Sequence, residues 1–470
     1  MKNVHLIGIG GTAMATLAAM LKHRGFEVRG SDQNIYPPMS TFLEEEGIAT
    51  FQGYAAAHIT PDLDLVIVGN AVSRGNPEVE EVLDRKIRHA SLPEAVREHF
   101  LWAARSIVIA GTHGKTTTAS LAAWLLVAGG RDPGALIGGI AANLGDDGSS
   151  YRLGQGREFV IEGDEYDSAF FDKTAKFLKY LPDIAVIGNI GFDHADIYAS
   201  LDEIRLAFRR LVNLVPGRGL LLLGSDSPEA ASMKAFARSP VQTFGLAADA
   251  DWHAYELRPS AGATTFSVRR HGTAYGTFTV PLLGAHNVRN TLAALAVGDA
   301  VGLDATTMGD GLRQFKGVKR RLEELGTEAG VAVYDDFAHH PTAIAETLAG
   351  LRAAHPGGRI RAVFEPRSAS SCRRIFQEAF AASFSAADDV IIAAVFRSNV
   401  PEGERLSAEQ LAADITAAGT PARYMPEVDD IVAALVRERK DGDHVVLMSN
   451  GGFGGIHGKL LDALSRAPTS

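Results

Sequence analysis

The sequence predicts an α/β protein of three domains. These are a Rossmann-like N-terminal domain (1–104), a central domain (105–317) built on a parallel sheet with an antiparallel edge ribbon, and a C-terminal Rossmann-like domain (318–470). Three observations carry this. Apolar runs of strand length (VHLIGIG, LDLVIVGN, SIVIAGTHG, REFVIEGDE, DIAVIGNIGFDH) end in Gly, Asn, Asp or His and alternate with helical stretches such as TTTASLAAWLLVAGG. Uninterrupted apolar runs suit strands buried on both faces, as in parallel sheets. Glycine-rich turns follow such runs at Gly8 and again at Gly111, and each opens a new unit.

In the first domain the turn Gly8-Ile-Gly10-Gly11-Thr12 joins a strand to a helix, and Asp32 ends the next strand, RGSD. This is the spacing of a dinucleotide fingerprint: glycines admit a pyrophosphate close to the backbone, and the helix N-terminus stabilises its charge. NAD, FAD and a UDP-sugar all carry a diphosphate, so the ligand class stays open, and a nicotinamide dehydrogenase is one rival reading.

In the central domain, Gly111-Thr112-His113-Gly114-Lys115-Thr116-Thr117 lies between SIVIA and a long helix. Backbone amides of such a loop wrap phosphates, the lysine reaches the β and γ groups, and a following hydroxyl suits Mg²⁺. The general P-loop spacing asks for a glycine where this chain has Ile109, so the loop is a shortened variant. A P-loop ATPase or motor is a second rival. The next strands deliver Glu162, Asp164, Glu165 and Asp167, then Asp193 and His194, at their C-terminal ends, where α/β sheets place ligand groups. The alternative for the acids is a solvated loop. The segment VQTFGLAADADWHAYELRPSAGATTFSVRRHGTAYGTFTVPLLG alternates with glycine turns and is expected to form the antiparallel ribbon.

FKGVKRRLEELG marks the second boundary, followed by the strands GVAVYDD, RIRAVFEP, DDVIIAAV and DHVVLMSN. Asp335-Asp336 and His339-His340 gather at one strand end. Arg367 ends another, where a guanidinium can hold a carboxylate with two bonds. Ser449-Asn450-Gly451-Gly452 follows the last strand, either as a substrate loop or as a simple connection.

A net charge of −10 disfavours a nucleic-acid binder but leaves room for a local basic pocket. The single cysteine, Cys372, excludes an intramolecular disulfide and reads as a small, partly buried side chain. The N-terminus lacks the layout of a signal peptide, and no apolar run reaches the ~18 residues needed to span a bilayer. A cytoplasmic protein with no membrane partner is expected.

Taken in order, GTHGKTTT, EGDEYD, GNIGFDH, GAHNVRNTLAA, RRLE and YDDFAHHP resemble the Mur ligase family over essentially the whole chain. GIGGTAM followed by RGSD is similar to the subgroup that binds UDP-N-acetylmuramate directly. SDQNIYPPMSTFLEEEGI, VIVGNAVSRGNPEVE, SAFFDKTAKFLKY and MSNGGFGGIHGKLL resemble members that add a murein tripeptide, L-alanyl-γ-D-glutamyl-meso-diaminopimelate; addition of L-alanine is the alternative.

The resemblance implies ATP and Mg²⁺ as cofactors, with the sugar nucleotide in the first domain, ATP in the second and the peptide in the third. It assigns Gly111 to Thr117 to the phosphates, with Lys115 beside the transferring group. Thr116 and Glu162 hold one Mg²⁺ and His194 a second. His286, Asn287, Asn290, Arg321 and Asp336 complete the ATP site. Gly8, Gly10, Gly11, Thr12, Asp32 and Asn70 hold the UDP-sugar. Arg367, Ser449 and Asn450 hold the peptide, with Asp335, His339 and His340 near the reacting groups and the two histidines candidates for the base. A monomer or weak homodimer is expected. Some members carbamylate a lysine downstream of the metal histidine; here SLDEIRLAFRRL has none, and Arg205 stands near that position.

Overall fold

A computed structural model describes residues 2–192, 197–198, 200–368, 370–396 and 400–467. The predicted runs become the centres of three sheets. The first is five-stranded and wholly parallel, with Asn3–Ile7 in the middle between Glu27–Asp32 and Leu65–Val68. Helix Thr12–His23 buries eight consecutive residues, Met14 to Leu21, because it is clamped between this sheet and its neighbours.

The central sheet has ten strands. Its parallel middle runs Leu220–Gly224, Ile184–Ile187, Arg105–Ala110, Glu158–Gly163, so the C-terminal ends of Arg105–Ala110, Glu158–Gly163 and Ile184–Ile187 open side by side. Helix Lys115–Ala128 is apolar around its circumference, as expected for a helix enclosed on all sides. It packs on the sheet and on helix Ala285–Ala300.

The ribbon differs from the sequence expectation at one end. Val241–Gly245 continues the parallel sheet beside Leu220–Gly224, and the antiparallel ribbon is confined to Trp252–Pro259, Thr264–Arg270 and Thr273–Val280. Phe244 is buried in the sheet core with Leu222, so burial decides the pairing of this short strand against its alternating pattern. A second antiparallel edge, Ser149–Arg152 beside Gly134–Ala141, was not anticipated.

The third sheet has six strands and opens with a hairpin, Glu323–Glu328 antiparallel to Val331–Asp336, placed where the sequence suggested only a boundary. Its two-residue turn is Ala329-Gly330, both at positive φ (47° and 74°), the conformation that matches the twist of paired strands. Before it, residues 316–319 run along the central sheet's edge: Ala142 N donates to Gly317 O (3.1 Å) and Lys319 N to Ile140 O (2.9 Å). This pairing brings Arg321 to the loop at 111–117, where its Nη2 meets Thr116 Oγ1. Among the described residues no helix is long and apolar enough to cross a membrane.

Candidate active site

The phosphate loop is held in shape by its neighbour strand end. His113 N donates to Asn189 Oδ1 (2.8 Å), Asn189 Nδ2 donates to His113 O (3.0 Å), and Thr112 N donates to Asn189 O (3.0 Å). Thr112 Oγ1 accepts from Gly191 N at 2.8 Å. Gly114 has φ 81°, and an added Cβ would collide with Asn290 Oδ1. Left-handed backbone and close approach together demand glycine here. Thr117, at the first turn of helix Lys115–Ala128, is buried.

Lys115 folds back into this loop. Its Nζ donates to Gly111 O (2.7 Å) and Thr112 O (3.2 Å) and pairs with Glu165 Oε2 (2.7 Å) and Oε1 (3.0 Å). Burial alone would push the ammonium down; Glu165, Asp164 and Glu162 outweigh it and hold it above its ordinary value. The lysine is therefore fully charged.

Glu162 faces the other side of the loop. Its Oε1 accepts from Thr116 Oγ1 (3.0 Å) and its Oε2 from Gly138 N (2.7 Å). Burial pushes its carboxyl up, beyond what Lys115 and Arg321 offset. A carboxylate short of positive partners, next to a hydroxyl on a phosphate loop, is a chemically suitable donor pair for Mg²⁺. Among the described residues no three His, Cys, Asp or Glu side chains form a ready cage. Mg²⁺ takes one or two carboxylates and completes its shell with phosphates and water. His194 and Asp193 lie outside the described residues.

Helix Ala285–Ala300 brings Asn290 onto Gly114. Asn290 Nδ2 donates to Asn287 Oδ1 (3.1 Å), and Asn287 Nδ2 to Leu283 O (2.8 Å). Burial first, then the Arg289 charge, push the His286 imidazole down to about 4, so it is neutral at pH 7.

The third domain closes the group. Arg321 Nη2 donates to Thr116 Oγ1 at 3.1 Å. Asp336 fixes the turn that carries it: Oδ2 accepts from Leu322 N (2.6 Å) and Oδ1 from Ala338 N (2.7 Å). Burial pushes the Asp336 carboxyl up to about 6 despite Arg321. The ring of His340 lies 4.7 Å from that of His113. Its Nδ1 accepts from Thr342 N (3.4 Å), which places the neutral ring's proton on Nε2. His339 is the reverse: Nδ1–H donates to Phe337 O (2.9 Å), so Nε2 is the basic nitrogen.

Arg367, Ser449 and the 450–451 turn form a neighbouring cluster. Ser449 Oγ donates to Glu365 Oε2 (2.5 Å), which also faces Arg367 Nη1 (3.6 Å). The Arg367 guanidinium stacks 3.5 Å from the Phe396 ring centre and presses on Gly451, where no side chain would fit. Arg320 ties the turn down, donating to Ser449 O and Gly451 O (2.7 Å each) and pairing with Asp335 (3.0 Å). Asn450 Oδ1 is buried within it.

The first glycine turn belongs to the separate parallel sheet. Gly8 N and Ile9 N donate to Ser31 O (2.8 and 3.0 Å), and Gly10 N to Asp32 Oδ2 (2.9 Å). Asp32 is thus turned onto the turn's own amide and Tyr54 (3.4 Å), so a diphosphate would compete with it for Gly10 N. Gly11 caps helix Thr12–His23, and Gly69, next to Asn70, approaches Gly8.

Two features escaped sequence reasoning. Asn189 shapes the loop, and the clue was a polar residue in GNIG at a strand end. Glu165 takes Lys115, but nothing in EGDEYD separates it from its acidic neighbours.

Residues 3–101 match the description "Mur ligase family, catalytic domain", 109–298 "Mur ligase middle domain", and 320–451 "Mur ligase, glutamate ligase domain". The chain is 41% identical over 464 residues to the UDP-N-acetylmuramate–L-alanyl-γ-D-glutamyl-meso-2,6-diaminoheptandioate ligase of Escherichia coli, covering 98% of each chain. It is 34% identical to the UDP-N-acetylmuramate–L-alanine ligase of Syntrophus aciditrophicus over 100% of this chain and 95% of that one. The crystal structure of a murein peptide ligase from Psychrobacter arcticus superposes with a TM-score of 0.72 at 36% identity, covering 99% of both chains. The chain belongs to the Mur ligase family.

Proposed function

We propose that this chain joins the lactyl carboxylate of UDP-N-acetylmuramate to the amine of L-alanyl-γ-D-glutamyl-meso-diaminopimelate, consuming ATP, in cytoplasmic peptidoglycan recycling. The observation that carries the reading is the end-to-end likeness to the Escherichia coli tripeptide ligase. The more distant L-alanine ligases supply the competing reading.

The chemistry follows from the groups in place. A carboxylate does not acylate an amine at neutral pH, because oxide would have to leave. Attack of its oxygen on the γ-phosphoryl group releases ADP and forms an acyl phosphate, from which phosphate departs when the amine adds. The loop 111–117 holds the triphosphate through backbone amides and Lys115. Thr116 and Glu162 would hold Mg²⁺, which supplies charge neutralisation on the phosphoryl oxygens. Arg321 brings a second cation to the same place from the third domain. Asn290 and His286 line the nucleoside side, and Gly8 to Thr12, Asp32 and Asn70 hold the sugar nucleotide. Arg367, Ser449 and Asn450 receive the peptide's carboxylates.

The amine must lose a proton to attack. His339 suits this role better than His340, because its hydrogen bond to Phe337 O leaves the basic nitrogen at Nε2. Domain closure excludes water from the acyl phosphate. The chain acts as a monomer or weak homodimer.

The test supplies ATP, Mg²⁺ and UDP-N-acetylmuramate with either the tripeptide or L-alanine, and follows ADP release and product mass. The tripeptide is expected to be consumed at least 100-fold more efficiently, as a site built for buried polar groups discriminates by about 10⁴. Turnover with L-alanine and not the tripeptide would replace this reading by the second.

A further inference from the structure

The carboxylate that neutralises Lys115 directly precedes a hairpin whose tip packs against another domain. Lys115 and Glu165 are nearly excluded from water, with side chains 12% and 3% exposed. Directly after Glu165 the chain forms an antiparallel hairpin, Asp167–Ala169 with Asp172–Ala175. Its base is rigid. Asp164 pairs with Lys176 (2.8 Å), Lys176 N donates to Tyr166 O (2.9 Å), and Tyr198 Oη donates to Glu165 O (2.7 Å). Lys173–Asp167 and Lys179–Asp172 pairs (2.5 Å each) brace its arms.

The tip is Phe170-Phe171. Phe170 packs against the first domain's apolar cluster, which includes Ile7, Val68 and Val72. Ile7 ends the strand that leads into the glycine turn, and Val72 Cγ2 stands 3.1 Å from where a Cβ on Gly8 would be. Phe171 meets His89 edge-on at 5.1 Å. The underside of the sugar-nucleotide turn and the partner of the phosphate-loop lysine are therefore two ends of one braced segment of about ten residues.

We propose that Glu165 is a positioning residue for Lys115, and that its hairpin makes the lysine's position depend on the sugar nucleotide bound at Gly8–Thr12. With that turn unliganded, Glu165 holds the ammonium against the loop carbonyls of Gly111 and Thr112. Sugar-nucleotide binding displaces the bed of Phe170, draws Glu165 off, and lets the ammonium turn to the γ-phosphate. The benefit is chemical: the phosphoryl group meets its full set of cations only when the acceptor carboxylate is present, which suppresses transfer to water. This inference rests on the sugar-nucleotide reading of the first domain.

The experiment measures the dissociation constant of a non-hydrolysable ATP analogue with Mg²⁺, with and without saturating UDP-N-acetylmuramate, for wild type, Glu165→Gln, Phe170→Ala and Phe170→Leu, each checked for folding by thermal melt. Wild type is expected to bind the analogue at least about fivefold tighter with the sugar nucleotide present, a typical coupling. In Glu165→Gln the analogue binds as tightly without it, so the ratio falls towards one. Phe170→Ala also loses the ratio, while Phe170→Leu, which keeps an apolar tip, retains most of it. A purely structural role would change the melt and leave the ratios alone. Both ligands binding wild type without mutual effect, or ratios unchanged in Glu165→Gln and Phe170→Ala, would overturn the inference alone. No sugar-nucleotide binding to wild type would overturn the functional reading as well.

Discussion

Arg321 reaches from the third domain to the phosphate loop and donates through Nη2 to Thr116 Oγ1 at 3.1 Å. The same hydroxyl donates onward to Glu162 Oε1 at 3.0 Å. A guanidinium, a hydroxyl and a buried carboxylate thus form one chain across a domain junction, at the site proposed for phosphoryl transfer. Asp336 holds the turn that delivers Arg321, so the third domain supplies both the cation and its mounting.

Arg321→Ala should lower kcat by about 100-fold, the usual effect of removing one preorganised donor from a developing negative charge. The thermal melt should move little, because Asp336 still pins the turn through Leu322 N and Ala338 N. Steady-state ADP release together with a melt checks both. An unchanged kcat would remove Arg321 from the site.

Lys115→Ala should abolish ADP release and also destabilise the fold, by about 3 kcal/mol, since it removes the ammonium that faces the buried Glu165 carboxylate. Adding Glu165→Gln to Lys115→Ala should restore most of the stability and none of the activity. Chemical denaturation of the single and double variants reads the first effect. Recovery of activity in the double variant would contradict the phosphate role of the lysine.

Gly114→Ala should weaken nucleotide binding more than tenfold. The left-handed backbone alone costs a side chain about 1–2 kcal/mol, and the added methyl meets Asn290 Oδ1. Nucleotide titration monitored by fluorescence measures this. Wild-type affinity would show that the loop opens far wider than described.

The acid limb of stability should carry a His286 contribution. Its folded pKa, about 4, lies below the unfolded value near 6.5. Above pH 6.5 the imidazole is neutral in both states and the contribution is complete. As pH falls from 6.5 towards 4 the unfolded chain takes up the proton and the folded one does not, so about 3 kcal/mol is lost. Asp336, raised to about 6, acts in the opposite sense over a similar range: stability falls as pH rises from the unfolded value to 6. The difference between wild type and His286→Gln in pH-dependent denaturation isolates the histidine. A flat difference between pH 4 and 6.5 would contradict its burial.

Much of this was legible in the sequence because parallel strands put their chemistry at their C-terminal ends. SIVIA before GTHGKT and REFVI before EGDEYD each announce a side chain at the same edge of one sheet. What the sequence left open is which acid does what. Glu162, Asp164, Glu165 and Asp167 look alike in one dimension; in three they face Thr116, Lys176, Lys115 and Lys173. The adjacent Arg320 and Arg321 likewise diverge, one to the 449–451 turn and one to the phosphate loop. Partner assignment over such separations is set by tertiary packing. The same is true of Val241–Gly245, whose alternation pointed to the ribbon while the burial of Phe244 drew it into the parallel sheet.

In the proposed reaction a carboxylate oxygen attacks phosphorus beside Lys115 and Glu162. The direct measurement uses UDP-N-acetylmuramate carrying ¹⁸O in its lactyl carboxylate, with ATP, Mg²⁺ and the tripeptide, and reads the mass of the phosphate released. An acyl phosphate requires one ¹⁸O in the phosphate for each amide formed. Amide formation with unlabelled phosphate would contradict the account.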